Sequence, residues 1–136
     1  MTSVCTGALV LGAAGLLQGK RATTHWASHH LLAAYGAIPV RERVVRDGSL
    51  MTGGGVTAGI DLGLALVAEL AGREVAEAIQ LNLEYAPAPP FAAGEPDTAP
   101  AAVVAAVRKC VAPIVEERAR LAAEAAKQRG RRRETE

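Results

Sequence analysis

One cysteine near the start of the chain limits what it can fold into more than any other feature. Cys5 stands in Ser3-Val4-Cys5-Thr6-Gly7 and is followed at once by Ala8-Leu9-Val10-Leu11-Gly12-Ala13-Ala14. A short β-branched approach, one Cys and then small residues opening a helix form the pattern of a nucleophile elbow, a sharp strand-to-helix turn. Thr6 and Gly7 avoid clashes in such a turn, and a helix start favours thiolate over thiol. The elbow needs a parallel sheet beneath it, so the chain is expected to be α/β. Only Thr2, Ser3 and Val4 can form the strand leading into Cys5. A complete doubly wound domain places several βα units before this point. The expectation is therefore the C-terminal half of a larger domain, with Met1 internal to it or a mis-assigned start.

Composition narrows the partners. The 15 basic and 14 acidic residues leave a formal charge of +1, which provides no global field toward nucleic acid or a membrane surface. Half of the 136 residues are apolar and few are aromatic, which suits helices packed closely on a sheet. Two cysteines, Cys5 and Cys110, make no disulfide framework, and no Cys/His spacing resembles a zinc site. The apolar N-terminal stretch has no charged n-region and is broken by Gly7, Gly12 and Gly15, so it does not read as a signal peptide. No stretch has the length of a membrane span. A reducing, cytoplasmic setting is expected.

Punctuation residues divide the rest. Thr6 to Ala14 should be a short helix stopped by Gly15, and Ala22-Thr23-Thr24 a short strand ending at His25. Trp26 to Tyr35 reads as a helix with Gly36 at its C-cap. Ile38-Pro39-Val40 should be extended. Arg43–Arg46 and Ser49–Thr52 flank Asp47-Gly48, a hairpin signal, and Gly53-Gly54-Gly55 lets the backbone turn after the second strand. Thr57 to Ala71 is apolar nearly all round, the mark of a buried or subunit-contact helix. Arg73 to Tyr85 reads as amphipathic, with Val75, Ile79 and Leu83 inward. Ala86 to Pro100 holds five of the seven prolines and reads as an extended arm. Ala101–Cys110 and Pro113–Gln128 read as two alanine-rich helices, Pro113 opening the second. Residues 129–136 read as a frayed polar tail. The expected organisation is an elbow-bearing half-domain over 1–92, an arm and C-terminal helices of the same domain over 93–128, and the tail.

Three blocks carry a family likeness: SVCTGALVLGAAGLLQGKRATTHW, SLMTGGGVTAGIDLGLALV and AIQLNLEYAPAPPF. In order and spacing they resemble the ThiJ/PfpI superfamily, also called class I glutamine amidotransferase-like, and within it the isonitrile hydratase-type members. The resemblance covers Thr2 to Arg120. It implies a flavodoxin-like three-layer α/β sandwich, here a truncated half rich in helices with a short hairpin. It also implies a homodimer, a small-molecule substrate, and no metal or organic cofactor. In such hydratases the elbow Cys attacks the isonitrile carbon, and water releases an N-substituted formamide from the thioimidate. That role maps onto Cys5, with Thr6 beside it. An acidic residue from the N-terminal part of the domain assists, and this sequence lacks that part. Related folds serve as ligand-sensing domains of transcription regulators, and deglycase, glyoxalase and peptidase chemistries also occur.

The candidate catalytic residues are Cys5, Thr6 and His25. Cys5 is read as the nucleophile, against a small buried hydrophobe. Thr6 offers a backbone N–H and a hydroxyl to an anionic intermediate, against a plain helix start. His25, at a strand end, could act as base to the thiol, against a structural imidazole bonded to backbone. His29 and His30 read as helix-surface residues with no metal role. Gly53-Gly54-Gly55 reads as close packing rather than a phosphate cradle, lacking the P-loop Lys. Asp61 is expected to cap the Gly54 or Gly55 amide, or else to orient His25. Cys110 reads as inert, and the basic tail as solvated.

Overall fold

The computed structural model describes residues 1–134, with side chains through residue 128. The elbow segment folds as its residues dictate. β1 (Thr2–Val4) runs into Cys5, and α1 (Gly7–Ala13) follows. β2 (Arg21–Ala22) and β3 (Ile38–Pro39) form a small parallel pair. Between them, Trp26–Tyr35 is a helix of 3-10 pitch closed by Gly36 in the left-handed region, φ 73°. The buried set Ser28, Leu31, Leu32 and Tyr35 explains why the sequence marks a helix without marking its pitch. Over ten residues, periods of 3.0 and 3.6 place those positions on one side alike.

β4 (Val44–Asp47) and β5 (Leu50–Gly53) form the hairpin, and β5 also pairs in parallel with β1, giving the order β1-β5-β4. The turn sits one residue later than the sequence suggests. Asp47 pairs with Leu50, so Gly48 and Ser49 are the loop. Gly48 alone of the two has positive φ, 61°, the pattern of a type II′ turn with Gly first. Asp47 stays in the strand because its carboxylate accepts the Arg21 N–H at 2.8 Å and faces Lys20 Nζ at 3.4 Å. Those bonds, the backbone one foremost, hold it below the usual carboxylate range.

β5 is the central strand and is buried along its length. Its alternation divides two layers. Leu50 joins the core formed by Leu9, Leu17, Leu31, Leu32, Tyr35 and Ala122, and Thr52 bonds toward Thr23. Met51 and Gly53 turn the other way. A Cβ on Gly53 would come within 3.2 Å of Leu62 Cδ1 in α2 (Ala58–Ala71). One layer is therefore α1, the 3-10 helix and α4 (Ala101–Glu134); the other is α2, which packs on α3 (Arg73–Asn82).

Two expectations are corrected and a third is narrowed. Of the two readings of α2, buried or subunit-contact, burial within the chain does not hold: only Ala58 and Leu62 are buried, and Leu70 is 77% exposed. Three short strands and one neighbouring helix cannot cover an apolar surface that runs all round a helix. α3 buries Ala76 rather than Val75 and Ile79, because it leans on α2 through its smallest face. The two C-terminal helices are one, with Pro113 inside it. The proline forfeits the bond to the Lys109 carbonyl, but alanine-rich flanks and its exposed position carry the helix through. The expected tail, in its side chains and last two residues, lies outside the described residues. Residues 86–100 carry no regular α-helix or strand, as the prolines require.

Candidate active site

The elbow is held by backbone from one side and a hydroxyl from the other. Cys5 lies in the left-handed region, φ 55°. Its N–H donates to the carbonyls of Gly53 (3.1 Å) and Gly54 (2.7 Å), and its own carbonyl accepts the Thr24 hydroxyl at 2.7 Å. The glycine run thus receives the Cys5 backbone, which is the close packing its composition suggests. The Gly54 N–H goes to the Arg43 carbonyl at 2.9 Å.

Thr6 is the residue before α1, and its side chain makes no capping bond. The N–H groups of Thr6 and Gly7 have no hydrogen-bond acceptor among the described residues. Two adjacent free amides beside Cys5 form a ready donor pair for an anion developing there.

His25 opens the 3-10 helix, and its Nδ1 accepts the Ala27 N–H at 3.3 Å. That bond assigns the neutral ring's proton to Nε2. Its ring is tilted 33° to that of Trp26, centroids 5.6 Å apart, and a Cβ on Gly55 would sit 3.7 Å from its Cδ2. His25 and Cys5 therefore flank the same glycine turn, although no hydrogen bond joins them among the described residues. Burial, and then the Arg118 guanidinium, push His25 below its ordinary value. It is neutral at pH 7, with an N–H rather than a lone pair free.

Asp61 does neither job expected of it. Its carboxylate takes the Arg43 Nε and the Tyr85 hydroxyl, the latter 3.2 Å from each oxygen. The Gly54 N–H goes to the Arg43 carbonyl instead, and the Asp61 carboxylate, taken up by Arg43 and Tyr85, bonds to neither glycine amide. His29 Nε2 meets the Val40 carbonyl at 3.0 Å, and no group of metal-ligand character occurs among the described residues. A groove of about 670 Å³ separates the 3-10 helix from α4, with Trp26, His30, Arg41 and Val115 in its walls. Arg108 lies over the Trp26 ring, 5.7 Å from its centroid. Cys5 does not line this groove, so the elbow is the candidate centre. Sequence reasoning missed Thr24 as a partner of the elbow. The available signal was two consecutive hydroxyls where an apolar strand should end.

The comparisons agree with this geometry. The chain matches the DJ-1/PfpI family over residues 1–69. It is 65% identical over 126 residues to isonitrile hydratase of Pseudomonas putida, covering 93% of this chain and 55% of that enzyme. A crystal structure of a ThiJ/PfpI family protein from Pseudomonas syringae superposes with a TM-score of 0.86 at 54% identity, covering 89% of this chain and 50% of that one. An HTH-type transcriptional regulator of Pseudomonas aeruginosa, CdhR, is 42% identical over 82 residues, 59% of this chain and 24% of the regulator. The chain spans about half the length of the isonitrile hydratase and the ThiJ/PfpI structure it matches. With its mixed α/β fold and its cysteine elbow, the chain belongs to the DJ-1/PfpI family.

Proposed function

We propose that the chain carries the nucleophile-bearing part of an isonitrile-hydrating lyase. The observation that carries this is 65% identity to an isonitrile hydratase along nearly the whole chain. The Cys5 sulfur adds to the terminal isonitrile carbon, which takes up a proton to give a thioimidate. Water then adds to that carbon, and the thiol leaves as the nitrogen is protonated, giving the N-substituted formamide. The Thr6 and Gly7 amides face charge that develops beside Cys5. His25, with Nδ1 occupied and a neutral ring, serves as an Nε2–H donor rather than as a base. The proton donor to carbon is the acidic residue that the family resemblance puts in the part of the enzyme this chain does not cover. Homodimer assembly is proposed from the exposed apolar face of α2 and α3. A cytoplasmic setting is proposed from two unpaired cysteines, Cys5 and Cys110.

The test is turnover. Cyclohexyl isonitrile is incubated with the chain alone, and with the chain joined to the portion of the P. putida enzyme it does not cover, with and without Cys5→Ala. Formamide from the joined protein, abolished by Cys5→Ala, is expected. No formamide, or equal amounts from both, sinks the hydratase reading. The likeness to the HTH-type regulator supports a second reading, a ligand-sensing domain. Saturable isonitrile binding to the joined protein without turnover would favour it.

A further inference from the structure

A residue bearing a side chain keeps φ near 55° only where its surroundings enforce it. At Cys5 the enforcement comes from three groups. Two are the Gly53 and Gly54 carbonyls, which no side-chain change removes. The third is the Thr24 hydroxyl, the one side chain hydrogen-bonded to the Cys5 backbone among the described residues. Thr24 is 3% exposed, so its hydroxyl has no competing water. Its neighbour Thr23 donates its N–H to Thr52 Oγ1 at 2.9 Å, which ties this segment to β5. β5 in turn pairs with β1 and supplies Gly53. Thr24 thus reaches the elbow from a support anchored to the strand beside it.

We propose that Thr24 is the positioning residue of the nucleophile: its hydroxyl locks the Cys5 carbonyl, and the lock keeps the thiol raised off the sheet. The inference rests on the reading of Cys5 as nucleophile. When φ relaxes toward the negative regions, the side chain rotates with the backbone and the thiol leaves its presented position.

Iodoacetamide labelling of the folded chain at pH 7 tests this in a Cys110→Ser background, where Cys5 is the sole thiol. Thr24→Val keeps the shape and removes the donor; it is expected to label about tenfold more slowly. Thr24→Ser restores the hydroxyl and the parental rate. Leu17→Ala, which opens a cavity in the main core away from this support, melts lower but labels at the parental rate. Parental or faster labelling by folded Thr24→Val, or equal slowing by Leu17→Ala, overturns the proposal. If Thr24→Val does not melt cooperatively, it is placed in Cys5→Gly, where glycine holds positive φ without a lock. Folding is expected there, and failure to fold there also overturns the proposal. Labelling requires no turnover, so a chain without hydratase activity still reports on the lock.

Discussion

Gly12 of α1 lies against the ring of Tyr35 so closely that a Cβ at position 12 would sit 2.5 Å from Tyr35 Cγ. Tyr35 is itself buried in the main core. The contact lets α1 and the 3-10 helix meet at backbone distance.

Gly12→Ala should therefore destabilise by about 1–3 kcal/mol through overpacking, although alanine is the better helix former. Gly63→Ala in α2 meets nothing within 4 Å and should stabilise by about 0.5–1 kcal/mol. Urea unfolding of both variants checks the pair. A stabilised Gly12→Ala would show that the Tyr35 ring has room to retreat.

His25 makes stability depend on pH in a direction its burial sets. Its proton is bound less tightly in the folded chain than in the unfolded one. Below its ordinary value of 6.5 the unfolded state takes up the proton first, so stability falls as the pH drops through that value. His25→Asn keeps a side-chain cap for the Ala27 N–H and carries no titrating ring. Melting temperatures at pH 7.5 and 5 should fall further for the parent than for this variant. Equal losses would remove His25 from the pH response.

Asp61 joins three segments through Arg43 and Tyr85. Asp61→Asn should cost about 1 kcal/mol, and Tyr85→Phe about 0.5–1 kcal/mol. Because Tyr85 bonds to Asp61 itself, the double variant should cost less than the sum. Additive losses in denaturant titrations would mean that the Tyr85 hydroxyl contributes nothing through Asp61.

The apolar side chains on α2 and the end of α3 should drive self-association of the 136-residue chain. Leu70 is 77% and Leu81 82% exposed, beyond what scattered surface residues explain. Size-exclusion elution is expected to shift with protein concentration, and Leu70→Glu with Leu81→Glu to restore a single monomer peak. A concentration-independent monomer in the parent would refute this.

The sequence alone determined most of the elements and the elbow, but not the continuity of α4 through Pro113. Local rules suffice where the cause is local: glycine at positive φ after the 3-10 helix, proline through residues 86–100, and small residues after Cys5. Tertiary structure decided what those elements touch. Asp61 was read as a cap because it stands in the first turn of α2, yet Arg43 and Tyr85, 18 and 24 residues away, claim it. Thr24 was read as the end of a strand, yet it spans 19 residues to the Cys5 carbonyl. The apolar circumference of α2 was legible, but its exposure depends on how much surface the three short strands and α3 present. Periodicity states which faces are apolar; only the packed chain decides which of them find a neighbour.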